Sequence, residues 1–207
     1  MPVFRGLVVL LLSMLVLPLQ AAGFSAESVK AAFLYRFASF VEWPEDAPAG
    51  PFVIAIAGAD EVAKQLDDLL PHVNVNGRAA EVRRVAKPAD LDGVHILYLG
   101  PDSLSRTRAL RAAALARPIL IVTDDEHGLD AGGVINFVQA ERNVRFEISL
   151  LAADRARLKI NSALLSVAAR VERRPQAWTS CADPYVRRYR PASCLIRTAS
   201  MNGRVLR

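Results

Sequence analysis

The chain has 207 residues, with 26 Lys and Arg against 21 Asp and Glu and a formal charge of +5. Its length supports one domain with a full core. The basic excess belongs to the end of the chain: the balance is −3 from Gly23 to Ala169 and +7 from Arg170 to Arg207. The folded part therefore lacks the basic face that nucleic-acid binding needs.

The N-terminus carries Arg5 as its only charge, an apolar run from Gly6 to Leu19 and the small residues Ala21-Ala22-Gly23. This pattern predicts a secretory signal peptide over residues 1–23, cleaved after Ala21 or after Gly23, and hence an exported, periplasmic protein. The run of roughly 14 residues falls short of the ~20 that span a bilayer. An uncleaved membrane anchor is the alternative.

A helix is predicted next, capped by Ser25 and stopped at Trp43-Pro44, because the residue before a proline is pushed out of the helical region. Phe33, Phe37 and Phe40/Val41 recur at helical spacing and form its inward stripe, while Tyr35 and Trp43 fall off that stripe. Phe52–Gly58, Val94–Gly100 and Pro118–Thr123 are continuous apolar runs of the kind found in strands buried on both faces. Helical patterns lie between them at Asp60–Leu70 and Ser103–Ala116, with a turn at Asn76-Gly77 and a half-exposed strand at Glu81–Val85. The alternation predicts an α/β fold: a mostly parallel sheet with right-handed crossovers and helices on both faces. Gly133–Val138 and Asn143–Ile148 read as an antiparallel hairpin, the second strand alternating Val144, Phe146 and Ile148 with Arg145 and Glu147. A final helix is predicted from Asn161 to Arg173, with Leu164/Leu165, Ala168 and Val171 facing inward. The α/β domain thus covers residues 24–174.

From Pro175 to Arg207 apolar periodicity is lost. The only two cysteines, Cys181 and Cys194, both lie here. In an exported chain they predict one disulfide closing an irregular basic tail, the alternative being two free thiols. With no further Cys or His nearby, they do not make a metal site.

Candidate chemistry is sparse. The loop Thr123-Asp124-Asp125-Glu126-His127-Gly128 follows a buried strand, where ligands of open α/β sheets collect. Asp124 and His127 are thus candidates for a small-molecule or hydrolytic site, against a solvated turn as the bland account. His95 lies inside a buried run and reads as a neutral core histidine. The three histidines of the chain have no adjacent nucleophile, so a Ser/His/Asp arrangement has no support. No catalytic residue, metal or cofactor is expected. Arg145 and Glu147 form either an exposed face of local ion pairs or a polar recognition surface.

Three motifs in order resemble the YfiR family of small periplasmic proteins: Lys30-Ala31-Ala32-Phe33-Leu34-Tyr35-Arg36-Phe37 through Trp43-Pro44; Gly132-Gly133-Val134-Ile135-Asn136-Phe137 with Val144-Arg145-Phe146-Glu147-Ile148-Ser149; and Leu158-Lys159-Ile160-Asn161-Ser162-Ala163-Leu164-Leu165. The resemblance covers about Ser25 to Glu172. It implies a non-enzymatic, homodimeric repressor that binds the periplasmic sensor region of an inner-membrane diguanylate cyclase, restraining cyclic di-GMP and biofilm formation. Tyr35 and Trp43 are then the candidate aromatic contacts, and Arg145 and Glu147 the polar ones. For Trp43 the alternative is packing beneath the following strand. The best-known members carry cysteines inside the globular domain, whereas Cys181 and Cys194 lie beyond it, so redox-linked release is not implied here. The Arg-rich tail fits contact with anionic headgroups, contact with an acidic partner, or mere solubilisation.

Overall fold

The computed structural model describes residues 25–70, 74–101, 104–140 and 143–173. The predicted signal peptide and the disulfide predicted between Cys181 and Cys194 lie outside the described residues.

Ser25 opens the first helix, α1 (Ala26–Phe40), its hydroxyl accepting the Ser28 N–H at 3.1 Å. The helix ends where Val41 turns extended and the chain enters β1 (Val41–Glu42), before Pro44. Next come β2 (Phe52–Ala57), α2 (Asp60–Leu69), β3 (Asn74–Val75), β4 (Arg78–Arg84), a 3-10 turn at Pro88–Leu91, and β5 (Val94–Leu99). The second half contains α3 (Leu104–Ala114), β6 (Leu120–Thr123), β7 (Ile135–Ala140), β8 (Asn143–Ser149) and α4 (Leu150–Arg155). It closes with β9 (Lys159–Ile160), α5 (Ser162–Val167) and β10 (Arg170–Glu172). Asn76 and Gly77 sit at φ 51° and 77°, the left-handed pair that a tight hairpin between β3 and β4 requires.

Eight strands form one sheet in the order β10-β8-β7-β6-β5-β2-β4-β3, and only β3–β4 and β7–β8 pair antiparallel. β1 and β9 make a separate antiparallel pair. Every residue of β2, β5 and β6 is buried, as their continuous apolar runs predict, because both sheet faces are covered. One face holds Leu34 and Phe37 of α1, Leu66 of α2 and Leu164 of α5 against Ile54, Tyr98 and Phe146. The other holds Leu91 of the 3-10 turn and Leu110 of α3 against Ala55, Leu97 and Ile121. The alternation of β8 resolves accordingly: Val144, Phe146 and Ile148 are buried toward α1, while Arg145 and Glu147 stand on the opposite face.

The C-terminal end differs from its sequence reading. The helix predicted to reach Arg173 stops at Val167, and Arg170–Glu172 pair parallel with Glu147–Ser149 as an edge strand. The reason is a distant acceptor. Ala168 is extended (φ −65°, ψ 142°) and the Ala169 N–H donates to Phe146 O at 2.8 Å, drawing the chain onto the open edge of β8.

Candidate functional site: a strand-end cleft and two separate surfaces

Strand order reverses between β2 and β5: the chain leaves β2 toward β4 on one side and β5 toward β6 on the other. Such a reversal opens a crevice at the carboxyl ends of the strands. A cleft of about 550 Å³ lies there, lined by Glu27 and Lys30 of α1, Gly58 and Asp60 at the start of α2, Tyr98 of β5 and Asp124 after β6. A Cβ on Gly100 would lie 2.3 Å from Gly58 O, so only glycine fits where the two strand ends converge.

Within the cleft, Asp124 Oδ2 accepts hydrogen bonds from Lys30 Nζ at 2.5 Å and from Tyr98 Oη at 3.0 Å. The Lys30 and Asp124 side chains are only 16% and 19% exposed, so this ion pair is largely withdrawn from solvent. Burial, together with the Asp124 charge and hydrogen bond, pushes the Tyr98 hydroxyl's pKa far above the ordinary phenol value. Tyr98 therefore stays protonated and serves as a donor.

His127 does not join this group. Its side chain is 76% exposed and lies 3.9 Å from Asp130, and its backbone N–H donates to Asp125 Oδ1 within the turn. Of the two candidates in the loop, Asp124 enters the cleft and His127 faces water, so the alternative site built on both is not assembled. The loop is held from beneath by Asn136, whose Oδ1 accepts from Thr123 Oγ1 at 2.8 Å and Asp125 N at 3.3 Å. Gly128 presses on that pair, since a Cβ there would lie 2.1 Å from Thr123 Oγ1. Among the described residues no group of three or more His, Cys, Asp or Glu is arranged to hold a metal ion.

The four residues read as contacts fall on two surfaces rather than one. Tyr35 is half-buried and packed against the α1-side core instead of standing clear of it. Trp43 meets Phe52 edge-on at 5.1 Å and His95 at 6.1 Å, and its indole N–H is buried with no partner among the described residues. That is the packing beneath the following strand which the sequence left open as the alternative. Arg145 and Glu147 lie across the sheet from both rings. They do not pair with each other: Glu147 accepts two bonds from Arg170 of β10, at 2.8 and 3.0 Å, and Arg145 is exposed.

Sequence reasoning missed Lys30, Tyr98 and Arg170, although Tyr98 left a signal: a hydroxyl in a buried strand must find an acceptor. It also missed Leu115 and Val167, which among the described residues are the large apolar side chains left in water, 50% and 57% exposed.

Together these features define an α/β protein with a doubly wound sheet, a charged strand-end cleft and two distinct outer surfaces. The chain belongs to the YfiR/HmsC-like family, whose model matches residues 27–169. No curated protein matches it. Among solved structures it is similar to a conserved domain protein from Vibrio cholerae O1 biovar El Tor str. N16961, at 14% identity and a TM-score of 0.48. That likeness covers 72% of this chain and 61% of the other. Among the described residues no helix is long and apolar enough to cross a membrane.

Proposed function

We propose that this protein is an exported regulator that works by binding. It docks on the periplasmic sensor region of an inner-membrane diguanylate cyclase and lowers cyclic di-GMP synthesis. The observation that carries this reading is the family match across nearly the whole folded part, residues 27–169. A repressor of this kind need only prefer the inactive state of its partner. Moving an equilibrium from 1:99 to 99:1 takes about 5.5 kcal/mol of differential affinity, within reach of a few well-placed contacts.

Arg145 and Glu147 serve as the polar contacts in this reading, and Tyr35 and Trp43 as the aromatic ones. Since the sheet separates the two sets, they are tested apart. Arg145→Glu reverses an exposed charge and leaves the core intact; Tyr35→Ala trims a half-buried ring. Each is expressed in a deletion strain, with cellular cyclic di-GMP measured beside pull-down from detergent-solubilised membranes. Arg145→Glu is expected to raise cyclic di-GMP at least twofold and to reduce the cyclase recovered, at unchanged protein level. If neither variant moves either readout, contact through Arg145 and Tyr35 is refuted.

The cleft favours a second reading, a periplasmic small-molecule sensor or hydrolase. His127 lies outside it, so Asp124→Asn alone discriminates. Repression that survives this change separates the cleft from the regulatory surface.

A further inference from the structure

At the other end of the sheet from the cleft, β5 carries one residue more than β2. Val53 pairs with Val94 and Ile54 with Ile96, which leaves His95 unmatched between them. A bulge of this kind deprives a backbone group of its ladder partner. Here that group is the buried Val53 N–H, and His95 Nδ1 accepts it at 3.2 Å. The tautomer follows: Nδ1 is bare, and Nε2 carries the proton, donating it to Pro48 O at 3.0 Å.

Pro48 belongs to a strap, residues 44–51, that joins β1 to β2. Pro44, Pro48 and Pro51 have no N–H, so the strap is held mainly through its carbonyls, which need donors from outside. Arg78 of β4 is the other donor. Its Nε bonds Gly50 O at 2.6 Å, and its Nη2 reaches Pro48 O at 3.1 Å and Pro51 O at 3.3 Å. The same Nη2 lies 3.2 Å from His95 Nε2, and the guanidinium stands over Phe52 at 5.9 Å. Phe52 stacks on the His95 ring at 4.5 Å, and Trp43 closes the cluster edge-on. The groups facing the imidazole are therefore one cation from β4, the carbonyls of Pro48 in the strap and of Gly93 just before β5, one N–H and a phenyl ring from β2, and the Trp43 ring. No carboxylate is bonded to it among the described residues.

From this geometry we infer that His95 is an acid-sensitive latch: neutral, it closes the bulge and holds the strap and Trp43 in place; protonated, it releases them. A second proton on Nδ1 turns the acceptor of the Val53 N–H into a donor aimed at it. It also sets an imidazolium against the Arg78 guanidinium. Burial first, and the Arg78 charge with it, hold the imidazole below its ordinary value of 6.5, offset in part by the bonds to the Pro48 and Gly93 carbonyls. The sign is then fixed. The closed strap is fully favoured above the unfolded value of 6.5 and loses that support as pH falls from there toward the lowered folded value.

The test uses the full chain with Trp178→Phe, so that Trp43 is the sole tryptophan, and reads the strap rather than any partner. Amide exchange, corrected for intrinsic rate, is followed between pH 7.5 and 4.5 together with Trp43 emission. Protection of residues 45–53 is expected to fall by up to roughly tenfold per pH unit as pH drops from 6.5 toward the lowered folded value and to level off beneath it, with a red shift of Trp43 and unchanged protection in β6 and α1. His95→Gln, whose amide can both accept and donate, is expected to flatten the profile. A flat wild-type profile, or the same slope in His95→Gln, overturns the latch. Should His95→Gln not fold, imidazole NMR of the wild-type chain decides. An Nε2–H tautomer titrating below 6.5 supports the inference; an Nδ1–H tautomer or a higher midpoint overturns it.

Discussion

Lys30, Tyr98 and Asp124 show what a partly buried charge demands of its neighbours. The ammonium and carboxylate are each withdrawn from most of their water, and that desolvation is offset only while they face each other. Asp124→Asn keeps the shape and an acceptor for Tyr98 but strands the Lys30 charge. It is expected to cost about 1–3 kcal/mol, read as a lower urea midpoint at constant slope. Adding Lys30→Met removes the stranded charge and should recover part of the loss; a strictly additive double variant would show that the two side chains are not coupled. This trio was not legible in the sequence. Asp124 could be flagged from its place after a buried strand, but its partners lie 94 and 26 residues away along the chain, and local spacing carries no trace of them. His127 was flagged for the same reason and stands in water, because a turn sends adjacent side chains in different directions. Trp43 was legible only as a pair of alternatives, since leaving the helical stripe does not say what the ring meets next.

Elements were read more securely where period and length agreed. The runs at β2, β5 and β6 have no polar interruption except His95 and Thr123, so both faces had to be covered, and they are. The β7–β8 hairpin follows from strict alternation and a short polar loop. The end of α5 was beyond reach because Leu164, Leu165, Ala168 and Val171 suit a helical stripe equally well; what ends the helix is a carbonyl on β8. That bond sets a prediction for the element. Ala169→Pro removes the N–H that reaches Phe146 O and should detach β10, lowering stability by about 1–3 kcal/mol. Hydrogen exchange is expected to rise in residues 146–149 and 170–172 while β2 and β5 keep their protection. Uniform exchange across the sheet would mean instead that β10 is integral to the cooperative unit.

For the molecule as a whole, the sheet divides two cores of unequal weight, and α1 roofs the larger. Phe33 and Phe37 of α1 meet Phe137 and Phe146 of the hairpin with ring centroids 5.1 to 6.1 Å apart. The first helix is thereby bonded to the last large hairpin, across more than a hundred residues of chain. On the other face α3 contributes Leu110 against Leu97 and Ile121 without aromatic partners. Removing a fully buried phenyl costs about 3–5 kcal/mol, against a total stability of about 5–15 kcal/mol for a domain of this kind. Phe37→Ala is therefore expected to take a large share of the stability and to lower recovery from the cell. Leu110→Ala, at about 2–5 kcal/mol, should leave a cooperative transition at lower denaturant. Both are read from equilibrium urea curves with far-UV and near-UV circular dichroism. If Phe37→Ala unfolds in one transition within 1 kcal/mol of Leu110→Ala, the aromatic quartet adds nothing beyond ordinary burial. A first helix bound this firmly to the hairpin behaves as part of the scaffold. Any partner that senses α1 must then do so through its outer residues Ala32, Arg36 and Ser39 and the half-buried Tyr35, because moving the helix itself would open the larger core.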